Sequence, residues 1–143
     1  MSGFITFYDI LIAALGGACF GIVFRIPPRY FVHATILAMI AKIGATLLGN
    51  ATHIAFATFV ITFIIGSLSH LFARITGKPA QAFLIPGVMF LVPGASLYKA
   101  FSGAMSSDYQ SGMSLLVQAI VITASISFAL LLANWVIPSR RTL

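Results

Sequence analysis

Phe83-Leu-Ile-Pro-Gly-Val-Met-Phe-Leu-Val-Pro-Gly-Ala-Ser-Leu-Tyr-Lys99 is apolar enough to lie in a membrane, yet it holds two Pro-Gly pairs. Proline has no amide hydrogen and its ring crowds the carbonyl four residues back, so each pair loosens a helix. Pro86 would free the carbonyl of Ala82, and Pro93 that of Met89. Hydrocarbon offers those oxygens no water, so neighbouring protein or a polar cavity must satisfy them. Broken helices at membrane depth are a recurrent way of building substrate sites in transporters. The stretch thus sets the fold class and the first site hypothesis together.

The rest of the chain agrees with a membrane protein. Of its 143 residues, 60% are hydrophobic and only 7% are charged, and the mean hydropathy is +1.08. Soluble domains carry about 25% charged residues. The formal net charge of +6 comes from scattered basic residues, whereas nucleic-acid binding needs a basic face with interleaved polar contacts. No nucleic-acid partner is expected. The single cysteine, Cys19, excludes an intramolecular disulfide and reads as a small packing residue. The first apolar segment lacks a basic leader and carries Asp9 early, so it reads as part of the mature protein and not as a cleaved signal.

Five apolar segments emerge, approximately 4–24, 30–48, 54–72, 82–104 and 114–137. Each is near the roughly 20 residues that cross the hydrocarbon core. The expected fold is an all-α integral membrane bundle of about five transmembrane helices. Its fourth is interrupted by the two Pro-Gly pairs, and the whole of 1–143 forms one transmembrane domain. Arg25 and Arg29 lie in the first loop, Arg74 and Lys78 in the third, and Arg140 and Arg141 at the C-terminus. With five spans these three places share one side, and the positive-inside rule makes that side cytoplasmic. The N-terminus is then outside and the C-terminus inside. Ala13, Gly17 and Gly21 repeat every fourth residue on the first span, a ridge that suits close helix packing.

Few polar groups enter the spans. Thr58, Thr62 and Ser69 share a face of the third; Ser114, Gln118 and Ser125 form one stripe on the fifth, and Thr123, Ser127 and Asn134 another. Serine and threonine can bond back to their own helix carbonyls, so these read as structural. Gln118 is less easily explained that way and is a candidate for a substrate path. Lys42 lies within the second span, where a lysine costs roughly 2.5–3.5 kcal/mol on insertion scales. Asp9 lies at a comparable depth on the first span. A Lys42–Asp9 pair would either fix helix packing or serve ion coupling. His33, His53 and His70 are too far apart for a metal motif and read as interfacial. There is no nucleotide loop, nucleophile elbow or paired carboxylate, so no cofactor, no metal and no enzymatic activity are expected.

Pro86-Gly87 and Pro93-Gly94 are seven residues apart and return to nearly one helix face. Ser96 and Lys99 follow directly, Lys99 being placed to attract a carboxylate or to anchor a helix end. The candidate substrate-binding residues are Pro86, Gly87, Pro93, Gly94, Ser96, Lys99 and Gln118. Asp9 and Lys42 are the candidates for coupling.

Phe24-Arg-Ile-Pro-Pro-Arg29 after the first span, followed by the Phe83–Tyr98 segment, resembles the threonine/serine exporter family. The likeness is greatest to short subunits equivalent to the C-terminal half of full-length exporters, the dicarboxylate or succinate type. It covers essentially the whole chain. It implies a subunit of a bipartite secondary exporter in the inner membrane, moving threonine and serine or small dicarboxylates such as succinate. It also implies a separately encoded larger membrane subunit as partner, with homo-oligomerisation left open. Pro86, Gly87, Pro93 and Gly94 carry over as formers of the site. Two other readings stand beside this one: a membrane scaffold subunit, and a small oligomeric channel.

Overall fold

A computed structural model describes residues 7–24, 27–105 and 109–137, leaving aside the side chains of residues 7, 9, 29, 50 and 51. Among the described residues the fold is all helical. It comprises α1 (Phe7–Val23), a 3-10 turn (Pro28–Tyr30), α2 (Phe31–Ala51), α3 (Ile54–Thr76), α4 (Gln81–Val88), α5 (Gly94–Met105) and α6 (Tyr109–Val136). α2, α3 and α6 are each long and apolar enough to cross a membrane alone, and α1 contributes a shorter apolar helix. The expected fourth span is divided between α4 and α5.

The connections follow from local chemistry. Proline suits the first turn of a helix because the N–H it lacks is unpaired there anyway, and Pro28 opens the 3-10 turn leading into α2. Gly77 ends α3 with φ +65°, a left-handed conformation that glycine adopts without steric penalty. α3 therefore runs four residues past its expected end, placing Arg74 on the helix. α6 begins at Tyr109, five residues before its expected start. The cause lies at Gly112, where a Cβ would stand 2.8 Å from the Ala104 nitrogen and 2.9 Å from the Ala100 oxygen. That close approach closes an α5–α6 hairpin and keeps the polar residues Tyr109–Ser111 helical.

α2 is the hub, packed by α1, α3 and α4; α3 in turn packs against α4 and α6. α5 packs against α6 and against no other helix among the described residues. The buried cluster comprises Leu37 and Ala41 of α2, Ile61 and Ile65 of α3, Phe83 of α4, Leu91 of the α4–α5 link, and Ile122 and Ile126 of α6. In lipid such a cluster is held by dispersion and shape, since hydrocarbon chains are as apolar as the side chains themselves. The glycine ridge on α1 serves this packing: a Cβ on Gly17 would lie 2.7 Å from the Ala38 Cβ. Cys19, by contrast, is exposed on α1 and does not pack inside.

Candidate functional site

Pro86 lies inside α4 without ending it. The Met89 N–H donates to the Ile85 carbonyl at 3.1 Å, so the helix passes through the first Pro-Gly pair. Beyond it the ladder fails. The Leu91 N–H reaches Val88 at 2.8 Å, the Gly94 N–H reaches Val92 at 2.8 Å, and the regular pattern resumes with Leu97 to Pro93 at 3.0 Å. The span is broken, not merely kinked. The expected interruption is present, but it falls between the two pairs, with only Pro93 at its edge.

Packing decides this location. A Cβ on Gly87 would meet the Ile65 Cγ2 at 2.8 Å and the Leu37 Cβ at 3.4 Å. Pro86 and Gly87 are both buried, so α4 is clamped between α2 and α3. Within the link, Phe90 turns toward α1, its ring edge-on to Phe20 with centroids 6.2 Å apart. Leu91 is only 7% exposed and enters the core. Gly94 is exposed, and a methyl group added there would meet nothing within 4 Å, so the second pair sits in open space.

The candidate residues fall into two groups on either side of the break. Pro86 and Gly87 belong to the packed α2–α3–α4 unit. Ser96 and Lys99 lie on α5, the first half-buried and the second exposed. Gln118 is half-buried on α6, and the contact of Gly112 with Ala100, Gly103 and Ala104 sets a register that brings Gln118 level with Ser96. Lys42 is half-buried on α2, far along the chain from the break. Asp9 is on α1, but its side chain, and with it the expected Lys42–Asp9 pair, lies outside the described residues. Asp108, Arg140 and Arg141 lie outside them as well.

Most membrane hydroxyls bond back to their own helix, as expected. Thr58 donates to the Ile54 carbonyl at 2.7 Å, Thr123 to Ala119 at 2.8 Å, Ser125 to Val121 at 2.8 Å and Ser127 to Thr123 at 3.0 Å. Thr62 and Ser69 do not. Both are 0% exposed, yet neither hydroxyl has a hydrogen-bond partner among the described residues. His70 is 8% exposed, and its Nδ1 is likewise unpartnered. It is buried on α3, near the end of that helix at Thr76.

A cavity of about 190 Å³ opens where the chain leaves α1 and enters α4, lined by Phe24, Pro27, Tyr30, Lys78, Pro79, Ala82 and Phe83. Tyr30 and Phe83 meet edge to face at 5.9 Å, and His33 packs on Phe72 at 4.9 Å. Sequence reasoning missed the cavity, having used Lys78 only as a topology signal. The Pro27-Pro28 and Lys78-Pro79 pairs that shape it were its available trace.

The described geometry is that of a bundle of apolar helices with one broken span. The family model described as Threonine/Serine exporter, ThrE matches residues 9–136. The chain belongs to the threonine/serine exporter family. It is a multi-pass membrane protein of a transporter family, not of an enzyme family. A Haemophilus influenzae protein described as uncharacterized is 38% identical over 95 residues, which is 65% of this chain and 32% of that relative. The chain thus spans about a third of the relative that it matches. No solved structure matches the chain.

Proposed function

We propose that this threonine/serine exporter family member is one subunit of a bipartite secondary exporter, and that the break at Met89–Pro93 is where its substrate is held. The substrates are small carboxylates, either threonine and serine or a dicarboxylate such as succinate. The observation that carries the reading is the broken fourth span in a chain of this family. Such a break leaves main-chain N–H and C=O groups without helical partners, and hydrocarbon will not solvate them. The partner is a separately encoded, larger membrane subunit, a reading supported by a longer relative to which this chain corresponds only in part. The complex sits in the inner membrane with Arg74 and Lys78 on the cytoplasmic side. Ser96, Lys99 and Gln118 extend the site along α5 and α6. Asp9 and Lys42 are the groups assigned to coupling.

Efflux from cells loaded with labelled threonine, serine or succinate tests the reading, using this chain alone and with its partner. Saturable, gradient-dependent efflux only with both present supports it and names the substrate. Unsaturable passive flux would identify a channel instead. No efflux from a stably assembled complex would leave a scaffold.

A further inference from the structure

Five hydroxyls on α3 had the same option of bonding back to their own helix, and they did not all take it. Thr58 and Thr76 donate to carbonyls four residues earlier, at 2.7 Å and 2.6 Å. Thr62, Ser67 and Ser69 leave their oxygens unpartnered, as His70 leaves its Nδ1. A buried polar atom without a partner loses its solvation and gains nothing in exchange. Three of these four side chains, Thr62, Ser69 and His70, are more than nine-tenths buried.

Their position is what gives them a role. Ile65 faces Gly87 and Leu37, whereas Gly66 faces Ala133 of α6 and Leu84 of α4. On the helical wheel, Ser69 and Thr62 fall between Ile65 and Gly66, toward the crevice between α4 and α6. His70 adjoins Gly66 on the α6 side. α3 and α4 are antiparallel, joined through Gly77–Ala80, with Phe72 beside Phe83 and Ile65 beside Gly87. The same register sets Ser69 level with residues 83–86 and Thr62 level with residues 90–93, at the break. Ser69 and Thr62 therefore lie one above the other between the end that carries Arg74 and Lys78 and the interrupted segment, with His70 beside them on the α6 side.

We propose that this strip is the hydrophilic wall of the substrate path, with Ser69 and then Thr62 donating hydrogen bonds to the carboxylate of a small substrate as it reaches the break. The proposal rests on the exporter reading and names the α3 side of that site. A hydroxyl that can donate or accept suits amino acids and dicarboxylates equally, because the shared chemistry is the carboxylate.

The test uses the complete two-subunit transporter with Cys19→Ala, which removes the chain's one cysteine. Single cysteines are then placed by Thr62→Cys, Ser69→Cys and, as a buried control facing Gly66, Ala133→Cys. Each is treated with a small, anionic, membrane-impermeant thiol reagent, with and without saturating threonine, serine or succinate. Thr62→Cys and Ser69→Cys are expected to react, and to react several-fold more slowly with substrate present, while Ala133→Cys stays unmodified. In parallel, Thr62→Val should raise KM about tenfold, the scale of one lost hydrogen bond to a charged group, and Thr62→Ser should restore it. If Cys19→Ala transporter exports substrate but both α3 cysteines are as inert as Ala133→Cys, or react without regard to substrate, the proposal is overturned and the exporter reading survives. If the wild-type complex exports none of the three compounds, both fall together.

Discussion

The two Pro-Gly pairs are the same dipeptide, seven residues apart on one segment, and the fold treats them in opposite ways. Pro86-Gly87 is buried in a continuing helix, with Gly87 pressed against Ile65 and Leu37. Pro93-Gly94 closes a non-helical link and opens α5 in uncrowded space. Proline removes one hydrogen bond at each place, yet only one place breaks. What separates them is the neighbourhood. α4 is held between α2 and α3 up to Val88, after which Phe90 and Leu91 are drawn to different partners. Pro93 acts on the residues just before it, Met89–Val92, where no clamp like that on Gly87 holds the helix.

The largest effect should come from filling the tight site. Gly87→Val adds bulk where even one carbon meets Ile65 and Leu37, and overpacking of this kind costs about 1–3 kcal/mol. Thermal unfolding in detergent should show a clear loss of stability; an unchanged melting temperature would mean that the two pairs are not differently packed. Next comes the proline comparison. Pro93→Ala should extend helix across the link, while Pro86→Ala should leave the break where it is, as read by amide hydrogen exchange at Phe90–Val92. Equal protection in the two variants would erase the distinction. Thr58→Val against Thr62→Val sharpens it on α3: the first should change transport little, because Thr58 is already bonded to Ile54. The smallest effect belongs to Gly94→Ala, expected within about 0.5 kcal/mol of wild type because its surroundings are open.

Much of this architecture could be read from composition and proline placement. Apolar run lengths located the spans, and the Pro-Gly pairs marked the span that is divided, because both signals depend on local chemistry alone. Which of the two pairs breaks the helix was not local: it depends on the packing of Ile65 and Leu37 around Gly87, which Gly94 lacks. The early start of α6 was hidden for the same reason, since Ser111-Gly112 reads as a turn until Ala100 and Ala104 lie against it. Thr58 and Thr62 are indistinguishable in sequence, four residues apart on one face. Only the packed bundle shows that one hydroxyl turns to its own helix and the other does not. The exposure of Cys19 and the burial of His70 likewise follow from which faces their helices present, which span composition does not encode.

The most direct measurement is efflux of the identified substrate by the complete two-subunit complex carrying Pro86→Ala and Pro93→Ala together. With both prolines gone, the fourth span is free to run as one helix and to reclaim the main-chain groups of Met89–Pro93. The account predicts that the complex assembles and loses most of its transport. Transport at the wild-type rate from that variant would contradict it, and the break would then be a packing feature and not the seat of the substrate.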